Sequence, residues 1–140
     1  PLFPVSVEIT YGLERLAMYH QKKRSVYELE YNDRVTYGDL YHESERQFSA
    51  YHFEHSDAQM LREHFEDYER ESKALSEKML PLPAYDMALK CSHLFNLLEA
   101  RCAVSVSERA QYIGRVRGLC KRVIQAYLEI KAPVPAGERP

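Results

Sequence analysis

The pattern that most limits how this chain can fold lies near its C-terminus. Ile113, Val116, Cys120, Val123 and Tyr127 recur every three or four residues, and Leu119, Ile124 and Leu128 widen the stripe. Such a period belongs to a helix with one face buried against other elements. Arg109, Arg115, Arg117, Lys121 and Arg122 populate its other surface, and Ser105-Val106-Ser107-Glu108 has capping-box spacing at its start. Three earlier segments repeat the theme. Met87, Leu89, Cys91, Leu94, Phe95, Leu97 and Leu98 make a helix that is apolar almost all round, which implies deep burial. Ser56 with Gln59 resembles a capping box ahead of Leu61, Phe65, Tyr68, Leu75 and Met79. Pro81 and Pro83 are expected to stop that helix, with Pro83 at the first position of the next. Thr36 and Asp39 stand at cap spacing before Leu40, Tyr41, Phe48 and Tyr51, which fit one more helix.

The N-terminal stretch has another period. Val5, Val7, Ile9 and Tyr11 alternate with Ser6, Glu8 and Thr10, the signature of a strand with one face on a core. Gly12 ends it. Leu13, Leu16, Ala17 and His20 then begin a helix expected to run to about Lys23, where Lys22, Lys23 and Arg24 complement the helix dipole. Residues 25–35 follow no single period and are expected to be extended or turning. The expected fold is α+β and mostly α: one or two strands, a helix, then a bundle of about four helices. The expected division is 1–35, a helical domain over 36–131, and a Pro-rich polar tail or linker over 132–140.

Composition sets outer limits. With 140 residues the chain is one domain, or a small piece plus a helical domain. Its net charge of −2 means that any contact with nucleic acid must be local. No apolar run approaches the length of a membrane span, and Pro1-Leu2-Phe3-Pro4 lacks the basic start and apolar centre of a signal peptide. Cys91, Cys102 and Cys120 are odd in number, widely spaced and without a CxxC pair, so buried reduced thiols in a cytoplasmic protein are expected. Six histidines are scattered. His52 and His55 are three apart, but no Cys or carboxylate joins them at ligand spacing, and no metal site is expected.

The segment with chemical content is Glu8-Ile9-Thr10-Tyr11-Gly12-Leu13-Glu14-Arg15-Leu16-Ala17-Met18-Tyr19. Glycine lets a flat ligand approach the backbone. An arginine in the next helical turn can stack on an aromatic base and reach phosphate oxygens. Glu8 offers a carboxylate for an ammonium group. From the residues alone the bland reading stands beside this one, since Glu14 suits a first helical turn through the dipole and Arg15 suits a surface.

The string resembles motif 3 of class II aminoacyl-tRNA synthetases, in the form found in the alpha subunit of bacterial tetrameric glycyl-tRNA synthetase. Further segments are similar to that family in the same order: Ser25-Val26-Tyr27, Val35-Thr36-Tyr37-Gly38-Asp39, Tyr51-x-Phe53-Glu54-His55, Pro81-Leu82-Pro83-Ala84-Tyr85, Ser92-His93, Phe95-Asn96-Leu97-Leu98 and Ala103-x-Ser105-Val106-x-Glu108-Arg109. The resemblance implies ATP-dependent activation of glycine and its transfer to tRNA(Gly). It implies Arg15 as the catalytic, ATP-binding arginine, with Gly12 and Glu14 beside the nucleotide and Glu8 and Thr10 bordering the glycine pocket. It implies Mg²⁺ accompanying ATP, a beta subunit (separate or fused) as partner, and an alpha homodimer. The family's motifs 1 and 2 lie upstream of motif 3, so this stretch by itself is expected to be inactive. Departures are local: a short loop over 31–35, Glu99 where aspartate is common, and His20 where an apolar residue is common.

Other features admit two readings. The basic face of the last helix suits RNA, docking on the beta subunit, or a plain solvated surface, since Glu99, Glu108 and Glu129 interleave with it. Tyr37, Tyr41 and Tyr51 suit base stacking or packing. Ser92 and His93 are neighbours on a helix and point apart, which argues against a nucleophile–base pair. A non-catalytic helical scaffold derived from the same family is the alternative function.

Overall fold

A computed structural model describes residues 5–131; the readings of Pro1–Pro4 and of the tail from residue 132 lie outside them. Five α-helices and one two-stranded sheet are formed among the described residues: α1 (Leu13–Gln21), β1 (Glu30–Asn32), β2 (Val35–Thr36), α2 (Tyr37–Ala50), α3 (Ala58–Glu77), α4 (Pro81–Ala100) and α5 (Val106–Lys131). The chain divides into two compact units between Ala50 and Tyr51.

The expected strand over residues 5–11 is absent. Its alternation is real, but Val5, Val7, Ile9 and Tyr11 are 72–85% exposed. A strand holds its shape by pairing, and β1 and β2 pair only with each other among the described residues. The observed sheet lies instead in the stretch read as extended or turning. It is a short antiparallel hairpin with Glu30 opposite Thr36 and Asn32 opposite Val35. Asn32 builds the turn, its Oδ1 accepting the N–H groups of Arg34 (2.9 Å) and Val35 (3.0 Å).

Side chains tie the hairpin to the helices of its own unit. Gln21, at the end of α1, accepts the Glu30 N–H at 2.8 Å and donates to the Glu30 carbonyl at 3.0 Å. Lys23 pairs with the Glu30 carboxylate at 2.7 Å. The cap read at Thr36 is formed: Asp39 accepts the Thr36 N–H at 2.8 Å, and Thr36 Oγ1 accepts the Asp39 N–H at 3.2 Å. Gly38 is required here, because a Cβ would stand 2.8 Å from the Tyr27 carbonyl oxygen. Tyr37 and Tyr41 pack on each other at 4.4 Å, and Tyr27 meets the His42 ring edge-on at 4.7 Å. Among the described residues of this unit Leu29 is the buried apolar one, and α2 buries none.

The second unit opens with a π-helical turn, Tyr51–His55. Its core is made by α3, α4 and α5, three helices rather than four, since α2 belongs to the first unit. Leu61, Phe65, Cys91, Leu98 and Leu119 are at its centre. Tyr112 stacks on Phe95 (5.6 Å between centroids) and makes a T-shaped contact with Phe65 (4.8 Å). The Arg115 guanidinium lies 4.5 Å from the Phe65 centroid and pairs with Glu69 at 2.7 Å. That pairing holds the Glu69 carboxyl below its ordinary value against the opposing effect of burial.

Several local expectations shift. Asp57, not Ser56, caps α3, its carboxylate accepting the N–H groups of Gln59 (2.8 Å) and Met60 (3.2 Å). The π turn carries the chain one residue further, which buries Ser56. Pro81, not Pro83, takes the first position of α4, where its missing N–H costs nothing. The all-round apolar α4 buries eight residues but leaves Leu82 and Leu89 exposed, because two neighbouring helices cannot surround it. The cap at Ser105 is formed with Glu108. Of the cysteines, Cys91 is buried and its thiol pushed up to about 11 by that burial; Cys120 is half-buried. Cys102 is exposed, because it occupies the left-handed position (φ 51°) that closes α4, where the Ala103 N–H returns to the Leu98 carbonyl.

Candidate functional site

Gly12 is the conformational break that separates the two halves of the candidate segment. Its φ of 72° is one that an L side chain rarely adopts, and nothing lies within 4 Å of where a Cβ would stand. The carbonyl of Gly12 accepts the first helical hydrogen bond of α1, from the Leu16 N–H at 3.3 Å. Glu14 therefore sits in the first turn, where a carboxylate complements the helix dipole. Arg15 follows it, exposed and without an ion pair or hydrogen bond among the described residues. Upstream, the Thr10 hydroxyl donates to Glu8 Oε1. That contact needs Glu8 and Thr10 on one side of the backbone, as the period-two reading placed them.

A cavity of about 180 Å³ opens between α1 and the hairpin. Leu13, Glu14, Ala17, Gln21, Leu29, Glu30, Tyr31 and Tyr37 line it, and its surface is mainly apolar. Of the five residues singled out by sequence, Glu14 alone lines this cavity; Glu8, Thr10, Gly12 and Arg15 do not. Burial raises the Tyr37 hydroxyl above its ordinary value, helped by the negative charge of Glu14. Gln21, Glu30 and Tyr31 escaped the sequence reading because their association is tertiary. The Gln21–Glu30 clamp joins residues nine apart, a spacing that no local period marks.

Two arginines of the second unit are held in structural contacts. Arg62 donates to the Ala103 carbonyl and the Tyr112 hydroxyl, and Arg101 donates to the carbonyls of Phe53 (2.7 Å) and Ser56 (3.0 Å). Among the described residues no group of three or more His, Cys, Asp or Glu side chains could hold a metal ion. No helix of the described residues is long and apolar enough to cross a membrane.

Gly12, Glu14 and Arg15 keep the Gly-x-Glu-Arg order on which the family resemblance was read. Comparison with known protein families agrees over a far longer stretch than this segment. The family model described as Glycyl-tRNA synthetase alpha subunit matches residues 1–132. The match runs through both units, from the segment around Gly12 to the end of α5, and the chain therefore belongs to the glycyl-tRNA synthetase alpha subunit family, a family of aminoacyl-tRNA ligase subunits.

Proposed function

We propose that residues 8–19 form part of the site at which a class II glycine–tRNA ligase joins glycine to ATP. The observation that carries this reading is Gly12. Its positive φ and open surroundings stand directly ahead of the turn that bears Glu14 and Arg15, in a chain of this family.

The chemistry runs in two steps. A glycine carboxylate oxygen attacks the α-phosphorus of ATP, and the bond to pyrophosphate breaks, leaving glycyl-adenylate. A hydroxyl of the terminal adenosine of tRNA(Gly) then attacks the glycyl carbonyl and releases AMP. The protein's share is orientation and charge stabilisation. The Arg15 guanidinium stacks on adenine and reaches the γ-phosphate, and Glu14 sets its position. The Glu8 carboxylate, oriented by the Thr10 hydroxyl, receives the glycine ammonium. Mg²⁺ enters with the ATP phosphates. The complete enzyme works in the cytoplasm as an alpha homodimer with a beta part, separate or fused. Residues 1–35 carry the end of its catalytic domain, α2 packs with them in the first unit, 51–131 form a helical domain, and 132–140 are a tail or linker.

The test is Arg15→Ala in the complete enzyme. Losing one preorganised charge-stabilising group should lower glycine-dependent pyrophosphate exchange by about 10²–10³-fold. Lys22→Ala, at the far end of the same helix, is the control. Exchange within a few-fold of the parent enzyme for Arg15→Ala rules the assignment out.

A further inference from the structure

Positive charge is segregated within the second unit. Between Arg109 and Leu128 there are five Lys or Arg residues and no Asp or Glu, in a chain whose net charge is −2. Arg109 and Arg115 are neutralised by Glu99 and Glu69. Arg117, Lys121 and Arg122 are exposed and make no ion pair or hydrogen bond among the described residues. Arg122 shares a shallow concavity with Glu77 and Glu129 yet pairs with neither.

Two glycines lie among these cations. Gly114 and Gly118 are one turn apart, so they share one face of α5, with Arg117 three residues beyond the first. Lys121 and Arg122 stand three and four residues beyond Gly118, one on either flank. A glycine inside a helix is destabilising relative to alanine, and such a residue usually answers a packing need. Here no packing need exists: nothing lies within 4 Å of a Cβ built at either position. The result is a smooth strip of exposed helix backbone edged by unpaired cations.

We propose that this strip, from Gly114 to Arg122, lies against the sugar-phosphate backbone of a structured RNA. Phosphates require unpaired cations and release counterions when they meet them. Absent side chains at Gly114 and Gly118 let a bulky backbone come close. The strip lacks the aromatic residues that mark the core of a protein interface, so its chemistry favours phosphates over a protein partner. The exposed large apolar residues of α5 lie outside the strip, Val106 ahead of it and Ile124, Tyr127, Leu128 and Ile130 beyond it. No aromatic side chain stands between Ile113 and Arg122, so the contact positions the RNA and does not read its bases.

This inference rests on the proposed ligase reading, which supplies an RNA substrate, and its test separates the two. In the complete enzyme, uncharged tRNA(Gly) transcript is titrated at several salt concentrations. Arg117→Gln, Lys121→Gln and Arg122→Gln together should weaken binding at least tenfold. They should also flatten the log–log salt slope by about one unit per cation removed. Gly114→Gln with Gly118→Gln should weaken binding at least threefold without lowering the melting temperature, because both positions are open in the free protein. An unchanged affinity and salt slope in the cation variant overturns the proposal. So does weaker assembly with a protein partner at unaltered RNA affinity. Pyrophosphate exchange, which needs no RNA, reports separately on the site at Arg15.

Discussion

Replacing Phe65 by alanine measures how far the three-helix core depends on one ring. Phe65 is fully buried, meets the Tyr112 ring in a T-shaped contact at 4.8 Å, and lies under the Arg115 guanidinium at 4.5 Å. A buried phenylalanine removes roughly 150 Å² from water, which at about 25 cal/mol per Å² is worth about 4 kcal/mol. The edge-to-face contact adds about 1 kcal/mol and the cation contact about another 1 kcal/mol. Relaxation around the new space and a compact unfolded state reduce this, so the expected loss is about 4 kcal/mol, within the range of Phe→Ala substitutions. That is a large fraction of the roughly 5–15 kcal/mol that holds a domain together. The chain has no tryptophan, so urea unfolding is best followed by far-UV circular dichroism. A loss below about 1.5 kcal/mol would refute the reasoning, because burial alone predicts more. A double-mutant cycle with Tyr112→Leu isolates the ring contact, and coupling near zero would show that the rings touch without stabilising each other.

Two further outcomes follow from local geometry. Ser105→Ala removes a hydroxyl that donates to Glu108 and accepts its N–H, and should destabilise α5 by about 1 kcal/mol; equal unfolding midpoints would show that the cap is idle. Glu69 is held below its ordinary value of 4.5 by Arg115, so its contribution is fully present above pH 4.5 and is lost as pH falls through the lower folded value. The stability advantage of the parent chain over Glu69→Gln should therefore shrink on acidification below pH 4.5, and parallel stability curves would count against the linkage.

Helices and caps were legible in the chain because they depend on residues three or four apart. The α5 period, the Ser105–Glu108 box and the Thr36–Asp39 box all satisfy their own backbone groups, so each is formed with little help from distant residues. The Gly12 break was legible for the same reason, since glycine alone supports its φ of 72° without strain. Family membership was legible from ordered motifs spread over both units.

What lies across the chain was not. An alternating pattern shows that a segment suits a strand but not that a partner is present, and residues 5–11 are exposed. The hairpin, which breaks the period rule, exists because Gln21, Lys23 and Asn32 hold it from positions no pattern connects. Cap selection between Ser56 and Asp57 turned on a π turn that adds one residue of advance. Short-range hydrogen bonding and periodicity are written residue by residue. Which faces meet, and which ionic groups are neutralised in meeting, is decided only when the helices pack. Packing pairs Arg115 with Glu69 and leaves Arg117 and Lys121 facing water.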